Sequence, residues 1–69
     1  MTVYISNKIF FTKGFVKEKE ITSGVIPGLM FRITKRENNI IFLENIDTKS
    51  IIVVTDDMLN SKLFIIGKI

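Results

Sequence analysis

From Leu29 to Thr55 the chain reads LMFRITKRENNIIFLENIDTKSIIVVT, three apolar-rich runs separated by two polar clusters. Apolar and polar residues alternate over Leu29–Lys35, except at Met30, and this predicts a half-buried strand. Ile40–Ile46 and Ile51–Thr55 predict two more, giving a meander around which the chain is organised. The first polar cluster, Arg36-Glu37-Asn38-Asn39, is a turn, because Asn tolerates positive φ better than most residues. A two- or four-residue loop pairs Arg36 with Ile41 and sets Ile33 opposite the Glu44 carboxylate. A three-residue loop, Glu37–Asn39, sets Ile33 opposite Leu43 and Arg32 opposite Glu44. A slip by one position turns every side chain over, so the three-residue loop is expected, with Asn39 in the left-handed position closing a bulge.

The second cluster, Asp47-Thr48-Lys49-Ser50, predicts another hairpin. A four-residue loop pairs Ile46 with Ile51, sets Leu43 opposite Val54, and brings Ile41 and Ile52 to the same side. A three-residue loop sends Ile51 and Val53 inward instead. Ile51-Ile52-Val53-Val54 is apolar on both faces and fits either register. A strand of that kind is expected to be covered on both faces, by barrel closure, a second layer or another chain.

On the N-terminal side, Val3–Phe11 predicts one strand with a bend at Ser6-Asn7-Lys8, and Thr12-Lys13-Gly14 predicts a turn. The mixed-sign run Lys17-Glu18-Lys19-Glu20 reads as a solvated loop or short ribbon. Pro27-Gly28 is a turn with Gly at positive φ, and Gly14, Gly24 and Gly28 punctuate a long connection. On the C-terminal side, Asp56–Ser61 predicts a single helical turn capped by Asp, and Lys62–Ile66 a last strand ended by Gly67.

One strand, a long loop over residues 12–28, a meander over 29–55, a helical turn and a closing strand is an order of elements that resembles an SH3-like small barrel. The expectation is therefore an all-β fold: a small five-stranded SH3-like barrel with one short helical turn before the last strand, a single domain over residues 1–69. The alternatives are an OB-like barrel or an open sheet completed by a dimer partner. The resemblance implies a module that binds protein or nucleic acid, or a small phage or mobile-element protein. It does not extend to a proline-peptide groove: such a groove includes a Trp, and this chain has no Trp and a single Tyr, Tyr4.

Composition narrows the chemistry. A chain of 69 residues has little core to spare, and without Cys or His it has no disulfides, no thiolate and almost no zinc chemistry. Thirteen Ile supply dense aliphatic packing in their place. General acid–base and nucleophilic catalysis lean most often on His or Cys, so no enzyme activity, cofactor or metal is expected. Asp56-Asp57 reads as a cap and its solvated neighbour, and Glu44 as the ion-pair partner of Arg32. Gly24 and Gly28 lack the Lys and Ser/Thr spacing of a phosphate loop. No run approaches the ~18 apolar residues of a membrane span, and residues 1–5 lack a signal-peptide pattern, so the expected location is the cytoplasm.

Net charge is +3, distributed unevenly. Residues 1–36 hold seven basic against two acidic residues, and residues 37–69 three basic against five acidic. Two binding surfaces follow. A basic face comprising Arg32, Lys35, Arg36 and Lys13, with Phe42 beside Arg32 and Arg36, has the backbone-contact and stacking character of a nucleic-acid site. An apolar face comprising Met30, Phe42, Ile46, Ile51 and Val53 has the character of a protein interface, either with a second copy in a homodimer or with the target of a small regulator or inhibitor. The protein-binding reading is preferred, with nucleic-acid binding as the alternative.

Overall fold

The computed structural model describes all 69 residues. It contains β1 (Thr2–Ser6), β2 (Phe10–Val16), β3 (Lys19–Val25), β4 (Met30–Glu37), β5 (Ile40–Asn45), β6 (Ile51–Thr55), helix α1 (Asp56–Leu59) and β7 (Phe64–Lys68). The fold is all-β, with the one short helix before the last strand as expected. It has seven strands where five were expected, in a single antiparallel sheet of order β3-β2-β6-β5-β4-β1-β7. The sheet is open, and β3 and β7 are its edges.

The two additional strands come from the N-terminal third. The bend at Asn7 is a full break, which divides Val3–Phe11 into β1 and β2. Asn7 ends the β1–β7 ladder: its backbone N–H donates to the Leu63 carbonyl, the next position in register, and its side-chain amide to that of Lys62. Thr12-Lys13-Gly14 is strand, not turn. The expected loop over residues 12–28 contains the β2–β3 ribbon, paired from Phe10↔Val25 to Val16↔Lys19. The ribbon turns at Lys17-Glu18, both at positive φ (50° and 69°). That geometry matches the right-handed twist of hairpin strands but is usually announced by Asn or Gly. Gly14 has a packing role: a Cβ there would lie 3.0 Å from the Ile51 carbonyl oxygen. Pro27-Gly28 is a turn as expected, with Gly28 at φ 93°. Ser6, buried below it, ties the turn to β1: its hydroxyl donates to the Ile26 carbonyl and accepts from the Leu29 N–H.

The first hairpin joins the two registers that the sequence set against each other. Arg32 is opposite Glu44 and Ile33 opposite Leu43, as expected. The loop is nevertheless only Asn38-Asn39, between paired Glu37 and Ile40, and Asn38 rather than Asn39 has positive φ (54°). Both hold because Thr34 is an extra residue between Ile33 and Lys35, so the bulge sits within the strand and not at the turn.

The second hairpin has a four-residue loop displaced by one position, Ile46–Lys49, with the Asn45 N–H donating to the Ser50 carbonyl. Leu43 therefore faces Ile52, and Ile41 faces Val54. This register differs from the expected one by two residues, which preserves the face, so Ile41, Leu43, Ile52 and Val54 all point inward. Asn45 sets the displacement. Its side-chain oxygen accepts the Asp47 and Thr48 N–H groups at 2.8 and 3.1 Å, and Lys49 closes the turn at φ 68°.

The inward residues of β4, β5 and β6 form a core with Val25, Leu59 and Phe64. The N-cap that brings Leu59 inward is Thr55 and not Asp56; the Thr55 hydroxyl accepts the Met58 N–H. Strand β7 runs through Gly67 instead of ending before it. Phe64 meets Phe10 edge-to-face at 5.5 Å and Phe31 at 6.2 Å. These contacts draw β2 and β7 towards one another across the core, so the open sheet is curled. Aromatic pairs of this geometry contribute about 0.5–1.5 kcal/mol beyond their burial.

Candidate functional site: the outer face of the sheet

The register determines what the convex face of the sheet carries. Strand β6 lies inside the sheet between β2 and β5, and its outward residues Ile51 and Val53 are half-buried, as is Phe42 of β5 beside them. Two rows of directly opposed residues cross the face. One runs Glu20, Phe15, Ile51, Glu44, Arg32, and the other Thr22, Lys13, Val53, Phe42, Lys35. Phe15, Ile51, Val53 and Phe42 thus form one contiguous apolar patch over the middle of the sheet. A shallow depression of about 470 Å³ opens between Phe15, Phe42 and Ile51, rimmed by Lys17, Glu18 and Lys49.

This patch contains three of the five expected interface residues: Phe42, Ile51 and Val53. The other two, Met30 and Ile46, lie across the Arg32–Glu44 ion pair. Ile46 donates its N–H to the Met30 carbonyl, and Met30 is opposite Ile5, which is opposite Ile65 of β7. A second apolar strip therefore runs Ile46, Met30, Ile5, Ile65 to the edge of the sheet. Phe15 was not among the expected residues. Its signal was its parity with Lys13 and Lys17, hidden once Gly14 was read as a turn.

Each of the basic candidates has a carboxylate partner. Arg32 binds Glu44 at 2.7 Å, Lys35 binds Glu37 at 2.8 Å, Arg36 binds Asp56 at 3.1 Å and Lys13 approaches Glu20 at 3.6 Å. The bulge also exchanges two of them between faces. Lys35, not Arg36, shares the face of Phe42, with its ammonium 5.6 Å from the ring centroid. Arg36 is opposite Ile41 and reaches round to the first turn of α1. Arg32, Lys13 and Lys35 therefore share the face of Phe42, each beside a carboxylate, and Arg36, which was expected there, lies off it. Lys17 and Lys49, at the rim of the depression, have no carboxylate within ion-pair distance.

No group of three or more acidic, His or Cys side chains is placed to hold a metal ion. No helix is long and apolar enough to cross a membrane. Comparison with protein-family models, with curated proteins and with solved structures finds no match for this chain.

Proposed function

We propose that the protein is a non-enzymatic interaction module that binds another protein through the patch formed by Phe15, Ile51, Val53 and Phe42. The supporting observation is that β6, an interior strand, carries apolar residues on both faces, while only its inner residues Ile52 and Val54 are buried. A contiguous apolar surface of this kind on a small soluble domain marks a binding site. The rim gives the partner its character: apolar side chains that enter between Phe15 and Phe42, and carboxylates placed to meet Lys17 and Lys49. In this reading the fold is an enlarged SH3-like barrel plan, in which the long loop has become the β2–β3 ribbon and supplies Phe15 and Lys17. The protein acts as a regulator by covering a surface of its partner. The nucleic-acid alternative has less support, because Arg32, Lys35, Arg36 and Lys13 are already matched by carboxylates.

Immobilised protein incubated with a lysate of its source organism tests the proposal. The expected result is a protein retained through high salt by the wild type and by the Arg32→Glu, Arg36→Glu double variant. Phe15→Asp and Phe42→Asp, checked for native β-structure by circular dichroism, release it. Nucleic acid that is retained only at low salt and lost in the charge reversal would overturn the proposal in favour of the alternative. Capture indifferent to both Phe substitutions would also overturn it.

A further inference from the structure

We infer that the protein forms a symmetric dimer by pairing the open edge of β7 with the same edge of a second copy. The alternation of β1–β7 bonding shows which groups are free. Asn7 donates to Leu63, and Met1 and Ile69 exchange N–H···O bonds at 2.6 and 2.9 Å. In an antiparallel ladder bonded pairs alternate with non-bonded ones, so Leu63, Ile65, Gly67 and Ile69 face β1. Phe64, Ile66 and Lys68 therefore direct their N–H and C=O groups away from it, and no other strand pairs with that edge.

The edge is complementary to itself. A two-fold axis at Ile66 pairs Ile66 with its copy, and Phe64 with Lys68 on either side. Three residues per copy, each with one donor and one acceptor, then form six backbone hydrogen bonds. No two lysines face each other. Ile65 is set against Gly67 of the second copy, where the missing side chain leaves room. Ile65 and Ile66, 50% and 64% exposed, are both covered. The outer strip Ile46, Met30, Ile5, Ile65 becomes continuous across the seam. Edges that stay monomeric usually carry a central charge, a proline or a bulge, and Phe64-Ile65-Ile66-Gly67 has none of them. The opposite edge, β3, carries Lys19 and Glu20. The seam is short, so the dimer is concentration-dependent.

The test is molar mass by light scattering from about 1 µM to 1 mM, a range suited to a weak complex. The wild type is expected to rise from 7.9 kDa towards twice that mass. Ile66→Lys, which sets two ammonium groups across the axis, and Ile66→Pro, which removes an outward N–H, are expected to stay monomeric with unchanged circular dichroism. Both leave the β1 ladder intact, and the Lys variant keeps the test open if the Pro variant misfolds. Phe42→Asp, on the outer face, is expected to dimerise as the wild type does. A wild type monomeric at 1 mM, or Ile66 variants that dimerise as it does, would overturn the inference.

Discussion

Asn45 and Ser6 show how single polar residues decide geometry in this chain. Both are buried, and neither leaves a fully buried side-chain polar atom without a partner. Asn45 accepts two backbone N–H groups with one oxygen, which holds the second hairpin in its register. Removing that oxygen leaves both donors to find new partners at the end of a strand. Asn45→Ala is expected to destabilise the protein by about 1–3 kcal/mol, measured by urea unfolding. Asn45→Asp, which keeps the acceptor, is expected to cost less. These residues also explain what could be read in advance. Asn45 lay inside a β-prone run, so the sequence offered Asp47–Ser50 as the loop. Only the closing bonds of Asn45 reveal that the loop begins at Ile46. Lys17 and Glu18 were opaque for a related reason: positive φ costs a non-glycine residue roughly 1–2 kcal/mol, and nothing in their chemistry announces it. The ladder around them supplies the compensation.

At the scale of the element, the meander was legible because its periodicity is strong. Ile41, Leu43, Ile52 and Val54 face inward under the four-residue loop, and that assignment survives a two-residue error in register because the error preserves parity. What alternation cannot show is an inserted residue. Thr34 is such a residue, and it moved Lys35 to the face of Phe42 and Arg36 to the face of Ile41. Deleting Thr34 therefore joins two stretches that already have the right parity. The variant is expected to fold, at a loss of about 1 kcal/mol for the Thr34 hydroxyl bond to the Phe42 carbonyl and the local twist. Deleting Phe42 instead turns part of β5 over and is expected to abolish the thermal unfolding transition. A calorimetric scan of both variants checks the pair. The β2–β3 ribbon was the least legible element. Its glycines read as punctuation, whereas Gly14 admits a neighbouring backbone and Gly24 lies under the Phe11 ring.

At the scale of the molecule, one sheet does two jobs. Curled inward, it buries Phe31, Phe64 and the meander in a single core. Its convex side stays apolar over β2, β6 and β5, which is where the proposed partner binds, while the β7 edge is left for a second copy. These surfaces lie on opposite sides of the Arg32–Glu44 pair, so a dimer presents two partner sites at once. The candidate interface was partly visible in sequence because an apolar residue at an outward position is a local fact. Its division into two strips was not, because that depends on which residues oppose Arg32 and Glu44 across three strands. The neutralisation of the cations was hidden for the same reason: Arg32 and Lys13 find their carboxylates on facing strands and Arg36 on α1.

The strand order also sets a timetable. Strands β4, β5 and β6 are joined by tight turns and can pair as soon as Thr55 has been synthesised. Strand β1 is made first, yet one of its two neighbours is made last, and its bonds to β7 close loops of more than fifty residues, from Asn7–Leu63 to Met1–Ile69. Contacts that span so much chain form late, because closure entropy has to be met before they return anything. The β1–β7 seam is then the last part of the sheet to zip and the first to open. Native-state hydrogen exchange on the monomer is expected to show it, with the amides of β7 exchanging well before those of Leu43 and Ile52; equal rates throughout would mean that the sheet opens only as a whole.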